Sequence, residues 1–220
     1  MPVPDTEQPP GRESLYARLF AKFYDSFMNR AEKTVLRKRR KALLKGLSGR
    51  VLEIGSGTGI NFSLYSAQVS LLATDPSDAM LNQARARLRA ENVQARVECL
   101  TAGVLDKRLE DAAAPGSMDA VVCTLVLCTV EKPEASIAFL RSRLKPGGKL
   151  ILLEHVVAVT KPGRMLQKIL NPLWKRFAHG CNLTRDTEAM VKAAGFDALT
   201  EDRFSITLPF YQAAFQKSGA

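Results

Sequence analysis

Apolar residues in this chain fall into short blocks, and the spacing inside the blocks switches between two periods. Val51–Ile54, Ser70–Thr74, Val93–Leu100, Met118–Thr124 and Lys149–Val157 are short, nearly continuous apolar runs, the pattern of strands buried on both faces. Between them, Thr58–Ser66, Ser77–Arg89 and Glu134–Leu144 have helical spacing, with Ser77 placed to cap the second of these helices. Strand and helix therefore alternate from Arg50 onward, which predicts an α/β fold: a parallel sheet with helices on both faces. Lys145–Gly148 (KPGG) reads as a helix stop and a turn into the fifth strand. Gly163–Ala178 is expected as an amphipathic helix carrying Met165, Leu166, Ile169, Leu170, Leu173, Trp174 and Phe177, residues that suit either core or pocket lining. Thr184 is the expected cap of a helix over Arg185–Ala194, and Phe196–Ile206 with Pro209–Gln216 reads as an antiparallel hairpin.

Upstream of this alternation the pattern changes. Met1–Gly11 carries Pro2, Pro4, Pro9 and Pro10 and is expected to be a disordered lead-in, extending to about residue 13. Ser14–Met28 places Leu15, Leu19, Phe23 and Phe27 at four-residue steps, with Tyr16, Phe20 and Tyr24 beside them. This is a helix with a wide aromatic face, which either packs on the following domain as a lid or meets lipid or a greasy substrate. Ala31–Lys45 is expected as a second helix. Its Arg37–Lys41 segment (RKRRK) reads as a solvated basic face, an anionic-membrane contact or a non-specific phosphate contact. The expected organisation is a lead-in at 1–13, a helical lid at 14–48 and one domain at 49–220, with a cap over the site around 160–183.

Charge sharpens this division. The net charge is +10, and residues 12–50 hold twelve Lys or Arg against three acids, so the basic excess is concentrated ahead of the sheet. No RNA-binding motif accompanies it, so no specific nucleic-acid partner is expected. The 220 residues, 46% of them hydrophobic, suffice for one sizeable core. Cys99, Cys123, Cys128 and Cys181 lack paired C-x-x-C spacing, so reduced thiols and no metal site are expected. No apolar run reaches membrane-spanning length and no signal-peptide core precedes the domain, so the expected location is cytoplasmic or peripheral to a membrane.

The chemistry centres on Arg50–Gly59, RVLEIGSGTG. Gly55, Gly57 and Gly59 let the chain turn sharply after a strand and approach a ligand closely. Ile60 stands where the dinucleotide fingerprint G-x-G-x-x-G would have its third glycine, and Glu53 lies two residues before the first one. Asp75, twenty residues after Gly55 at a strand tip, can accept from both hydroxyls of a ribose. LEIGSGTG, TDPS at Asp75, the run Met118–Thr124 and LKPGGKLILLEH at Leu144–His155, in this order, resemble the class I S-adenosylmethionine (SAM)-dependent methyltransferases. The resemblance implies a Rossmann-like, mostly parallel seven-stranded sheet and SAM as cofactor. It implies a cofactor site of Glu53, Gly55, Gly57, Gly59, Asn61, Asp75, Pro76, Thr101, Ala102, Thr124 and Leu125.

More specific segments narrow it. CTLVLCTV, LEHV, NPLWK and GCNLTR look like the alkyl-thiol S-methyltransferases, membrane-bound in animals, and the match covers about Gly49–Gly195. Their hydrophobic anchor is replaced here by Met1–Lys45, so the chain resembles a bacterial soluble or peripheral relative. The resemblance implies a small thiol as methyl acceptor. A phospholipid amine or quinone is the alternative, with membrane contact through the basic N-terminal helices; a SAM-binding regulator without turnover is the reading from another class. Leu125–Leu127 are apolar where many amine-directed methyltransferases have a polar clamp, which favours a soft or greasy nucleophile. His155, at the fifth strand's tip, is a candidate base or an orienting residue, and His179 is the other histidine of the chain. Arg185 is a candidate for stabilising a thiolate. Phe23, Tyr24, Leu127, Trp174 and Cys181 are candidate substrate contacts, and Cys128 or Cys181 reads as a covalent nucleophile or as a small buried hydrophobe.

Overall fold

The computed structural model describes residues 35–178, 180–206 and 208–218. The expected lead-in, the aromatic helix with Phe23 and Tyr24, and His179 lie outside them. The elements in order are α1 (Arg37–Leu44), β1 (Gly49–Ile54), β2 (Val69–Asp75), α2 (Asp78–Ala90), β3 (Arg96–Thr101), α3 (Lys107–Ala112), β4 (Met118–Thr124), α4 (Pro133–Arg143), β5 (Leu144–His155), α5 (Lys161–Phe177), α6 (Thr187–Ala193), β6 (Phe196–Ser205) and β7 (Pro209–Lys217).

The seven strands form one sheet in the order β3-β2-β1-β4-β5-β7-β6. Neighbours from β3 to β5 run parallel, while β7 is antiparallel to both β5 and β6, so the C-terminal hairpin closes the sheet as expected. The chain winds outward from β1 in both directions, and the β1–β4 boundary is the point at which strand order reverses. Open α/β sheets hold ligands at the carboxyl ends of their strands at such a point. Alternation along each strand separates two cores. Leu52, Ile54, Val121, Cys123, Leu150 and Leu152 pack on one face with Leu127, Ile137 and Phe215. Val51, Leu71, Ala73, Val122 and Ile151 pack on the other with Leu44, Phe62, Tyr65 and Leu81.

Several boundaries depart from expectation for local reasons. Thr58–Ser66 is not a full helix; it is a turn and a single 3-10 stretch, Phe62–Leu64. Gly57 and Gly59 sit at φ +55° and +77°, outside helical geometry, and Asn61 and Tyr65 turn inward onto Glu53. KPGG does not precede β5 but lies within it: pairing slips between Met118↔Leu144 and Ala120↔Lys149, and Gly147 takes φ +72° in the bulge. Asp186, not Thr184, caps α6, accepting from the Ala189 N–H at 3.1 Å, while Thr184 bonds Asn182. Ser77 caps α2 as expected, accepting from Met80 N–H. The helix α3 has no counterpart in the sequence reading; Asp106 caps it.

Two further segments behave differently from their sequence appearance. Within RKRRK, Arg37, Lys38 and Lys41 face solvent, but Arg40 is buried and Arg39 bridges to β6, where it meets Asp202 at 2.6 Å and stacks over Phe204. The large apolar residues of α5, from Met165 to Leu173, are exposed instead of core. No helix among the described residues is long and apolar enough to cross a membrane.

Candidate functional site

The site is assembled at the carboxyl ends of β1, β2, β4 and β5. After β1 the chain passes through Gly55, Gly57 and Gly59, all at positive φ, the conformation glycine adopts without strain. The three have different neighbours. A Cβ on Gly55 would lie 2.5 Å from Val126, and one on Gly59 would lie 2.6 Å from the Phe62 ring, so both are needed for close packing. A Cβ on Gly57 would meet nothing within 4 Å, as would one on Gly103 beyond β3. Asp75 lies between these open positions, 9% exposed, accepting from Gly57 N–H at 3.0 Å and Ser77 N–H at 2.9 Å. A carboxylate has several acceptor directions, so Asp75 can brace the glycine turn and still accept from a diol. Pro76 is exposed at the rim; Ala102 N–H donates to the Asp75 carbonyl at 3.1 Å, and Thr101 Oγ1 bonds Asp78 Oδ1. Open space above a glycine turn, flanked by a braced carboxylate, fits a nucleoside with a free ribose.

Beneath the turn lies a buried polar network. Glu53 shares the face of Val51 on β1 and so faces Phe62 and Tyr65. Its Oε1 accepts from Asn61 Nδ2 and its Oε2 from Tyr65 O–H, each at 2.8 Å. Burial raises Glu53 to about 7, against the lowering effect of those two bonds and of the Arg40 charge. Arg40 enters from α1 and donates to Asn61 Oδ1 at 3.1 Å and Thr124 Oγ1 at 2.7 Å. Asn61 and Thr124, expected at the cofactor, are therefore joined, and they are joined by a cation that the sequence reading placed on a surface. Tyr65 was likewise missed. The available signal was position: Arg40 and Leu44 fall one turn apart, so a stripe through Leu36, Arg40 and Leu44 faces inward.

The other side of the candidate site is built by the turn after β4 and the tip of β5. Leu125 has φ +61°, the one non-glycine residue at positive φ among those described. That turn aims the successive amides of Val126, Leu127 and Cys128 at the carboxylate of Glu154, with distances of 2.9, 2.8 and 3.3 Å. Such a run of N–H groups forms an anion-binding nest. Glu154 is fully buried, and desolvation raises it to about 7 although the three amides pull it down. Leu125 and Val126 are partly exposed, while Leu127 is buried in the main core and offers no surface to a ligand. Arg185 Nη1 donates to the carbonyls of Leu127 and Val130, so this guanidinium clamps the same turn from outside.

His155 is partly exposed at the end of β5. Its ring meets Phe210 edge-on with centroids 4.3 Å apart and lies 6.5 Å from the Trp174 ring. Its Nδ1 is 3.6 Å from Cys181 Sγ. Hydrogen bonds from Cys128, then His155 and Trp174, hold the Cys181 thiol down at about 5 against the effect of burial, whereas Cys128 is pushed well up. His155, Trp174, Cys181 and Cys128 thus form one cluster, which adjoins the turn that Arg185 clamps. The four cysteines are free thiols, and no group of three or more metal-binding side chains occurs among the described residues.

Comparison with known proteins agrees with this arrangement. A methyltransferase domain model matches residues 24–201. A rat (Rattus norvegicus) thiol S-methyltransferase, TMT1B, is 38% identical over 158 residues, covering 70% of this chain and 63% of the rat protein. A phosphatidylethanolamine N-methyltransferase of Cereibacter sphaeroides is 27% identical over 134 residues, covering 61% of this chain and 64% of its own. The N-methyltransferase NodS of Bradyrhizobium japonicum, solved with S-adenosyl-L-homocysteine, superposes with a TM-score of 0.61 at 16% identity, over 82% of this chain and 86% of that one. The chain spans less than two thirds of the length of the thiol methyltransferases it matches.

Proposed function

Because this chain belongs to the methyltransferase domain family, we propose that it is a SAM-dependent enzyme that methylates the sulfur of a small thiol. The observation that carries the reading is the acceptor side. At the sheet edge it presents Leu125, Val126, Trp174 and a His155–Cys181 pair in place of a polar clamp for an amine. The thiol S-methyltransferase relative, the more similar of the two reported, supports the same substrate class.

SAM supplies a methyl group on a sulfonium, an electrophile that needs no further activation. The open space over Gly57 and Gly103 would receive its nucleoside, Asp75 would accept from the ribose hydroxyls, and Thr101, Ala102 and Pro76 would border the base. The Glu53–Asn61–Tyr65 network, with Thr124 and Arg40, would underlie the amino-acid end, the Arg40 cation complementing a carboxylate and the Glu53 carboxyl an ammonium. Transfer to sulfur is a direct displacement, so the protein's work is to hold the nucleophile about 3–3.5 Å from the methyl carbon and in line with it.

A free alkyl thiol, with a pKa of about 8.5, is mostly protonated at neutral pH. His155 Nδ1 faces Cys181, which leaves Nε2 to take the proton of an acceptor thiol. Arg185 acts in this account through the Val126–Val130 turn and contributes positive charge behind it. Leu125, Val126 and Trp174 exclude water, which strengthens a thiolate as a nucleophile. The test is the pH–rate profile with an alkyl thiol. In the wild type the base spares the acceptor its own ionisation, whereas His155→Ala moves the rise of rate with pH up toward the acceptor's own pKa of about 8.5 and lowers the rate about tenfold or more near neutral pH. An unchanged profile in His155→Ala excludes the base.

Transfer to a phospholipid amine is the second reading, favoured by the exposed apolar face of α5 and by the Cereibacter relative. Cytoplasmic placement, with or without contact to a membrane, is part of the same proposal.

A further inference from the structure

Helix α5 is built inside out relative to an ordinary surface helix. Among its residues with a described side chain, only Gln167 is buried. Polar side chains tether it to the domain. Gln167 accepts from Ala158 N–H at 2.7 Å and donates to the Val156 carbonyl at 3.1 Å, and Asn171 accepts from Leu183 N–H at 2.8 Å. Trp174 stands on the same side, its ring centroid 6.5 Å from that of His155. The apolar residues point the other way: Met165, Leu166, Ile169, Leu170 and Leu173 are 44–73% exposed. With Val159 just before the helix, they make up six of the nine exposed large hydrophobic residues described. At 3.6 residues per turn the five on the helix fall within about 140° of arc, opposite the tethers. Five apolar side chains in one stripe form a patch that signals an interaction.

The charges on this helix select the partner. Lys161, Arg164, Lys168, Lys175 and Arg176 are all exposed, and α5 contains no acidic residue. By helical spacing, Arg164, Lys168 and Lys175 line one edge of the apolar stripe, and Lys161 and Arg176 stand near its ends. A nucleic acid would match the cations but leave the leucines in water, whereas a membrane with anionic headgroups satisfies both sectors of one helix. At about 1.5 Å per residue the helix is long enough to lie along the surface, and it carries too much charge to cross it.

We infer that α5 is a membrane-docking helix, lying in the plane of an anionic lipid surface with Met165, Leu166, Ile169, Leu170 and Leu173 among the acyl chains. The opposite side of the same helix carries Trp174 against His155 and Cys181, so docking sets the acceptor side of the site at the lipid boundary. An acceptor dissolved in the bilayer then reaches His155 along α5. This inference holds whichever acceptor is used.

The test is co-sedimentation of the full chain with phosphatidylcholine vesicles, with and without phosphatidylserine. Wild type binds the vesicles containing phosphatidylserine. Leu166→Glu/Ile169→Glu/Leu173→Glu weakens binding roughly tenfold or more while leaving thermal unfolding intact, since the three side chains are exposed. Lys168→Glu/Lys175→Glu weakens it specifically on the anionic vesicles. Trp174, the only tryptophan, changes its fluorescence as α5 docks. Wild type that stays in the supernatant overturns the inference. So does a triple variant that binds as well as wild type, because attachment then lies elsewhere. A wild-type dimer that the triple variant converts to monomer also overturns it, because a second copy then covers the face.

Discussion

Two carboxyl groups, Glu53 and Glu154, lie wholly inside the site and are both raised by burial to about 7, from an ordinary value of 4.5. A folded-state pKa above the unfolded one means that the native state holds these protons more tightly. Their contribution to stability is therefore full below about 4.5 and is lost as pH rises through about 7. The melting temperature is expected to fall between about pH 4.5 and pH 7, by roughly 2–4 °C for each kcal/mol lost at this chain length. Glu53→Gln/Glu154→Gln flattens that slope, and calorimetry across the range reads it directly. An equally steep slope in the double variant would remove these two groups from the account. Arg40 is the second residue with a sharp consequence. Arg40→Ala takes a charged donor from Asn61 and Thr124, a loss of about 1.5–3 kcal/mol. Titration calorimetry should show SAM binding at least about tenfold weaker, with less change in Arg37→Ala, whose side chain faces solvent.

At the scale of elements, the glycine turn separates packing from ligand approach. Gly59→Ala drives a methyl group into Phe62, and Gly55→Ala drives one into Val126, so both should lower the melting temperature. Gly57→Ala places its methyl group in open space; beyond the strain of its positive φ its cost should appear as lost SAM affinity. Melting curves and binding titrations on the three variants distinguish these outcomes. Strands and the C-terminal hairpin were legible in the sequence because each is a compact apolar run between punctuating residues. Asp75, Asn61 and Thr124 were legible because the glycine motif fixes their place in chain order. Arg40, Tyr65 and Glu154 were not, because their roles arise from pairings across the fold. Glu154 meets amides 26 to 28 residues away, and Arg40 meets Thr124 at a separation of 84. Helix α5 was legible as amphipathic but not in orientation; periodicity gives a face, and only the tethers of Gln167 and Asn171 show which way it points.

On the scale of the whole molecule, the order β3-β2-β1-β4-β5-β7-β6 puts the glycine turn on one side of the strand-order reversal and the turn after β4 on the other. Asp75 and the glycine turn lie toward β2, and the Leu125–Cys128 turn, Glu154 and His155 lie toward β5. Thr124 and Asn61 join them through Arg40. In the proposed reading these two halves, tied together through Arg40, bound the transfer site, and α5 extends the acceptor half to the surface. Its reaction is read most directly by transfer of labelled methyl from SAM to a panel of an alkyl thiol, hydrogen sulfide, a phospholipid amine and a quinol, with Asp75→Ala as control. The account predicts rapid transfer to the thiols, lost in Asp75→Ala. Transfer confined to the lipid amine or the quinol, or tight SAM binding with no transfer to any acceptor, would contradict it.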